Sequence, residues 1–152
     1  MNNQFRDLQL QQMDALLSSW QSAQLCARPK SGWVRAVRET LGISASAFAR
    51  RLGISHAGVR KLENAEASDA MTLATLRKLA QALDCEVKYA LVPRTSLKQQ
   101  LQERAQDVAK AHLLPIAHSM ALEDQAVNGP AHQLQFDLAV KALLEGSRRK
   151  LW

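Results

Sequence analysis

Cysteine is scarce in this chain, and its placement excludes more than its number. Cys26 and Cys85 stand far apart, with no CxxC pair and no His/Cys spacing suited to zinc, so two reduced thiols in the cytoplasm are expected. Long apolar runs are missing too. The start, Met-Asn-Asn-Gln-Phe-Arg-Asp, has no apolar h-region, and the best later run, Ala111 to Leu122, is interrupted by His112, Pro115 and His118. Neither a signal peptide nor a membrane span is expected. Signatures of catalysis are absent: there is no Gly-rich phosphate loop, nucleophile elbow or pair of carboxylates at catalytic spacing. His56, His112, His118 and His132 form no pair at ligand spacing on one helix with a carboxylate partner, so each is expected at a surface or in a groove. The chain is read as a binding protein that needs no metal or cofactor. No internal repeat or low-complexity tract is visible.

What the chain does have is apolar material and a localised positive charge. Its 152 residues allow one ordinary domain or two small ones, and 47% hydrophobic residues are enough for a packed core. The net charge is +6, and all of it lies between Arg28 and Arg94, where 12 Lys/Arg face 6 Asp/Glu. The flanks are balanced, with 8 basic and 8 acidic residues. A positive field concentrated in one region suits a phosphate-binding face, although a modest excess of this size also occurs on plain solvated surfaces.

The stretch from Ser44 to Asn64, S-A-S-A-F-A-R-R-L-G-I-S-H-A-G-V-R-K-L-E-N, lies inside that region. Ser44 can cap one helix, Gly53 can supply the left-handed residue that stops it after Leu52, and Ser55 can cap a second. Two short helices joined so tightly form a helix-turn-helix, in which the second helix reads the major groove. Phe48, Ala49, Leu52, Ile54, Val59 and Leu62 fall where crossing helices bury them. That leaves His56, Ala57, Gly58, Arg60, Lys61 and Asn64 facing out. Gly58 costs about 1 kcal/mol of helix propensity, offset by close backbone approach to the groove or by tight packing on a neighbouring helix. Ser55, His56, Ala57, Gly58 and Arg60 are the candidate base readers, and Ser44, Ser46, Arg50, Lys61 and Lys30 the candidate phosphate contacts.

Around the motif the chain reads as support. Phe5 to about Leu25 sets Phe5, Leu8, Met13, Leu16, Leu17 and Trp20 at helical spacing, an amphipathic helix that packs on its own domain or embraces a second subunit. Arg28-Pro-Lys30-Ser-Gly32 is a linker whose two charges could lie along a DNA backbone. Ser31 can cap a helix to Leu41, with Trp33, Val34, Val37 and Leu41 inward and Arg35, Arg38 and Glu39 outward. Thr72 caps another helix, carrying Leu73, Leu76, Leu79, Ala80 and Leu83. From Cys85 to Val92 the period changes to alternation, which predicts a strand. A lone strand needs a partner, so pairing of Val87, Tyr89 and Leu91 across a two-fold, in a homodimer, is expected, with pairing inside the chain as the alternative. Beyond Pro93, Ser96 can cap a helix to about Ala111. Pro115 suits the first turn of another to about Val127, and Asn128-Gly129-Pro130 breaks the chain before a last helix from Ala131 to Glu145. Its Leu134, Phe136, Leu138, Val140, Leu143 and Leu144 suggest burial on two sides, and the tail ends on an aromatic anchor, Trp152.

The predicted architecture is thus mainly α. It divides into an N-terminal helix (1–27), a helix-turn-helix domain (28–84), a dimerising strand (85–94) and a C-terminal helical region (95–152) for dimer or partner contacts.

The residues Leu41-Gly42-Ile43-Ser44, Phe48 through Ser55 and Val59 through Asn64 resemble the Xre family of DNA-binding domains, the λ-repressor-like group. Two departures are visible: Ala45 stands where that family commonly has a phosphate-reaching Gln, and His56 where it commonly has a base-reading Gln. Over nearly its whole length the chain also resembles the mobile mystery protein A family. The carriers are Lys30 through Arg38, Met71 through Leu76, Ala82 through Glu86, Tyr89 through Arg94 and Ala117 through Glu123. That resemblance implies a DNA-binding repressor of a pseudo-palindromic operator, acting as antitoxin and autoregulator beside a Fic-domain nucleotide-transferring enzyme. It also implies an alternative, direct inhibition of that enzyme. Separate Fic inhibitors carry Ser/Thr-x-x-x-Glu-Gly/Asn, and Ser119 and Glu123 match the first and fifth positions, with Asp124 departing at the sixth. Four residues apart, Ser119 and Glu123 share one helix face, and a carboxylate there can compete with phosphate oxygens for a guanidinium.

Overall fold

A computed structural model describes residues 3–122 and 129–152, all helical apart from the connections. In chain order the helices are α1 (Asn3–Ser22), α2 (Trp33–Thr40), α3 (Ala45–Leu52), α4 (His56–Ala67), α5 (Leu73–Ala82), α6 (Leu97–Leu122) and α7 (Gly129–Glu145), followed by a 3-10 turn at Arg148–Leu151. They form two units. One is the continuous stretch Gln24–Ala90; the other joins both ends of the chain, Met1–Ala23 with Leu91–Trp152.

The Gln24–Ala90 unit wraps α2 to α5 around one core. Val34, Phe48, Ala49, Val59, Leu79 and Leu83 are buried there, with Val37, Ile43, Leu52, Leu62, Met71 and Leu76 packed on them. The predicted caps of α3, α4 and α5 form: Ser44, Ser55 and Thr72 accept from the amides of Ala47, Gly58 and Thr75. Helix α2 starts differently. Its N-cap is Gly32, with no side-chain cap of its own, and Ser31 plays no such part. The carboxylate of Glu66, late in α4, accepts from the amides of Trp33 at 2.8 Å and Val34 at 3.0 Å. A charge in place of a hydroxyl satisfies two orphan donors at the positive end of the helix dipole. The inner stripe of α2 also differs, because Trp33 and Leu41 are exposed while Arg38 is buried.

The segment Cys85–Val92 takes no regular secondary structure, and no β-strand forms among the described residues. Alternation alone does not make a strand: the ladder needs a second extended segment to take its amides and carbonyls, and among the described residues of this chain none pairs with it. Val87 is half-buried, while Tyr89 and Leu91 are exposed.

In the other unit, α6 packs on α7 around Ala105, Ala109, Val140 and Leu151. Ala105 and Ala109 are one helical turn apart on α6, and their small side chains let the backbones approach closely. The tail is anchored by Leu151, which is fully buried, whereas Trp152 is exposed with Arg104 over its ring at 5.8 Å. On α7, Leu134 and Leu138 are exposed, so burial on two sides does not hold for this helix. Pro115 does not start a helix either; α6 runs through it. Proline deletes one bond of the ladder, and the positions around Pro115 are exposed, so water can reach the carbonyl of Ala111 that loses its partner. Gly129 and Pro130 lie in the first turn of α7, where a missing amide hydrogen costs nothing. Helix α1 belongs to this unit. Asp14 accepts from the amides of Leu97 at 2.7 Å and Lys98 at 3.1 Å, capping α6, while Asn3 and Arg6 donate to the Glu145 carbonyl at the end of α7.

Among the described residues no helix is long and apolar enough to cross a membrane.

Candidate nucleic-acid interface

Three residues set the angle between α3 and α4. Gly53 sits at φ +67, a left-handed geometry that closes α3, and its amide bonds back to Ala49 and Arg50 carbonyls. Ile54 then donates to the Ala49 carbonyl at 3.1 Å, and Ser55 opens α4. Buried Phe48, Ala49 and Val59 hold the crossing from beneath. Ile54 is 39% exposed, not buried as its apolar character suggests, since the three-residue turn leaves it at the rim.

With this support α4 presents one polar face. His56, Ala57, Arg60, Lys61 and Asn64 are all exposed. At 3.6 residues per turn they fall within about 140° of arc, while Val59, Leu62, Glu63 and Glu66 fill the opposite side. Gly58 lies off that arc and is half-buried; a Cβ there would meet Ser55 Oγ at 3.2 Å and Ile54 Cδ1 at 3.4 Å. The atoms nearest this position belong to the N-cap and the turn before α4 itself, not to a neighbouring helix. Ser55 is exposed, and with its oxygen accepting the cap bond its hydroxyl keeps one hydrogen to donate and one lone pair to accept.

The candidate phosphate contacts Ser44, Ser46 and Arg50 are exposed along α3, and Lys61 beside the α4 face. Lys30, before α2, is exposed, whereas its linker neighbour Arg28 is tied down. Its guanidinium donates to the Glu66 and Ala67 carbonyls at 3.0 Å each and to Asp69 at 2.5 Å. Arg28 therefore staples the linker to the end of α4.

Arg38 is the residue for which outward orientation fails most clearly. Its Nε donates to Glu63 Oε1 at 2.6 Å, its second guanidinium nitrogen to Oε2 at 3.2 Å and the third to the Ile43 carbonyl at 2.8 Å. Both side chains are buried. The bond to Glu63 holds the Arg38 guanidinium above its ordinary pKa, against the opposing effect of burial. One fork thus joins α2, the turn before α3, and the underside of α4. Next to it, on the surface, Arg35 donates to Glu39 at 2.8 Å, which raises the Arg35 pKa and lowers that of Glu39, mainly through that hydrogen bond. Arg35, Glu39, Arg60 and Asn64 line one polar cleft beside the exposed face.

Sequence reasoning missed Glu63 and Glu66 as the pieces that orient this face. A signal existed: both acidic residues sit at helical spacing on the same side as Val59 and Leu62, where a solvated carboxylate has no place.

The remaining candidates lie apart from this site. Val87 lines an apolar groove with Trp33, Val37 and Leu76, and Arg77 stands 5.5 Å over the ring of Tyr89. Ser119 is exposed late in α6, and Glu123 lies outside the described residues.

Among curated proteins and among solved structures, no match to the chain is found. Residues 34–89, from the first turn of α2 to the segment after α5, match the HTH_3 helix-turn-helix family. That stretch, with its capped α3, left-handed Gly53 and outward face of α4, is a helix-turn-helix DNA-binding domain of the Xre, λ-repressor-like type.

Proposed function

We propose that the chain is a sequence-specific transcriptional regulator that binds double-stranded DNA as a homodimer and works by binding, not catalysis. The observation carrying this reading is the uninterrupted exposed face of α4, within the helix-turn-helix match. Arg60 can donate two hydrogen bonds to guanine O6 and N7, Asn64 can pair with adenine N6 and N7, His56 can donate to a purine acceptor, and the Ala57 methyl can meet a thymine methyl. Lys61, Arg50, Ser44, Ser46 and Lys30 would hold phosphates and fix the register. A dimer with this geometry reads a pseudo-palindrome whose half-sites lie about one helical turn apart. Selection of duplexes from a random pool by the purified full chain tests the reading. Enrichment of an inverted repeat is expected; recovery of unenriched DNA, with binding set by salt alone, would overturn it.

The role of antitoxin and autoregulator beside a Fic-domain enzyme is proposed on the sequence resemblance alone. Co-expression of that companion with a Glu123→Gly variant tests the inhibitory arm, and toxicity no different from that with the unaltered chain would dismiss it.

A further inference from the structure

Helix α1 has three charged side chains, and all are used inside its own unit. Arg6 donates to the Glu145 and Gly146 carbonyls, Asp7 pairs with Arg148, and Asp14 caps α6. The opposite arc is uncharged and uncovered: Phe5 is 57%, Leu8 51%, Met13 45% and Leu16 64% exposed, with Gln9 and Gln12 exposed between them. Water contact at four large apolar side chains on one arc is unfavourable, so this face is built to be covered.

The order of these residues says by what. Reversed about the point between Leu10 and Gln11, the set maps onto itself: Phe5 takes the place of Leu16, Leu8 that of Met13 and Gln9 that of Gln12. An isologous two-fold contact requires such self-complementarity, and a different partner imposes none. The face also brings no like charges together.

We infer that α1 is a homodimerisation helix, lying antiparallel on α1 of a second copy with the two-fold axis between Leu10 and Gln11. Apolar contact then extends over about 17 Å of helix. The four exposed portions amount to about 400 Å² per protomer, taking ~200 Å² for each large side chain. Gln9 and Gln12 lie nearest the two-fold and face each other across it, and the contact, about 800 Å² in all, falls at the weak, transient end of interfaces, so a reversible, concentration-dependent dimer is expected. The inference deepens the dimer reading above and supplies the interface that the absent strand does not.

The test is sedimentation of the full chain over a wide concentration range without DNA, so that failure of this interface and failure of DNA binding are read separately. Leu8→Lys should weaken dimerisation about a hundredfold or more, because each substitution occurs twice and removes apolar contact. Met13→Glu should do the same. Combined in one chain, the two place opposite charges face to face across the two-fold and should restore most of the dimer. Leu138→Lys, on the exposed side of α7, should leave it unchanged. All three positions are exposed, and at dilutions where every chain is monomeric circular dichroism should show unaltered helix content and melting. A wild-type chain that stays monomeric, a dimer that survives Leu8→Lys, or a folded double variant no better than the singles would each overturn the inference.

Discussion

Glu66→Ala should loosen the helix-turn-helix unit far more than a lone surface carboxylate would. In the native chain this carboxylate is 5% exposed and accepts two amide hydrogen bonds at the start of α2. Hydrogen bonds to a charged group are worth roughly 1.5–3 kcal/mol each, and a lost helix cap costs about 1 kcal/mol. These overlap, since the cap consists of the same bonds, and water can enter beside exposed Trp33; a net loss of about 3 kcal/mol is therefore expected. For a domain of this size that lowers the melting temperature of the Gln24–Ala90 unit by roughly 10–20 °C. Glu66→Gln keeps one acceptor oxygen and the shape, so it should cost about half as much. Gly32 provides a cross-check. It sits at φ +83, and a Cβ there would stand 2.3 Å from Glu66 Oε2. Gly32→Ala should destabilise on both counts, and adding Glu66→Ala should relieve the clash but not the backbone strain, so the double variant loses less than the two singles together. Differential scanning fluorimetry with urea titration of the full chain gives these values. A Glu66→Ala cost below about 1 kcal/mol, or strict additivity with Gly32→Ala, would refute the cap as the reason for the buried carboxylate.

Three further outcomes are expected. Glu63→Gln leaves buried Arg38 with only Glu39, 3.6 Å away at the surface, as counter-charge and should cost about 3 kcal/mol in urea denaturation, whereas Arg35→Ala, breaking only the exposed pair, should leave the urea midpoint nearly unchanged. Gly58→Ala gains about 1 kcal/mol of helix propensity but crowds the Ser55 cap, worth a similar amount, so a net change within about 1 kcal/mol is expected; a loss above 2 kcal/mol would show that the close contacts cannot give. Glu39, held below its ordinary pKa by Arg35, should titrate by NMR lower than a free glutamate and move up in Arg35→Ala. Because the folded value is the lower one, this pair stabilises above the unfolded-chain pKa of Glu39. Its contribution is lost as pH falls through the folded value.

The motif was legible in the sequence because its determinants are local. Ser44, Gly53, Ser55 and Thr72 act within three or four residues of themselves, so reading their neighbours was enough to place three helix starts and one sharp turn. What orients the motif was not legible in the same way. Arg38 finds Glu63 across 25 residues, and Glu66 reaches Trp33 and Val34 across more than 30; such pairings leave only an indirect trace, charged residues on an apolar stripe. Period-2 alternation at Cys85–Val92 misled because it describes side chains, while a strand is made by backbone partners. Pro115 misled in the opposite direction: a strong local stop signal gave way to the helix on either side. Helix α1 was legible as amphipathic, but its two faces, one locked to α6 and α7 and one open, required knowing where Arg6, Asp7 and Asp14 end up.

The exposed face of α4 is most directly tested by binding isotherms of wild-type, Arg60→Ala and Lys61→Ala chains. Each is measured on the selected duplex and on a scrambled one, across a salt series. Arg60→Ala should lose about 1–3 kcal/mol on the selected duplex only and relax specificity at one position. Lys61→Ala should weaken both duplexes alike and reduce the salt slope by about one. Equal losses on both duplexes for both variants, or no loss for either, would contradict α4 as the helix that reads DNA.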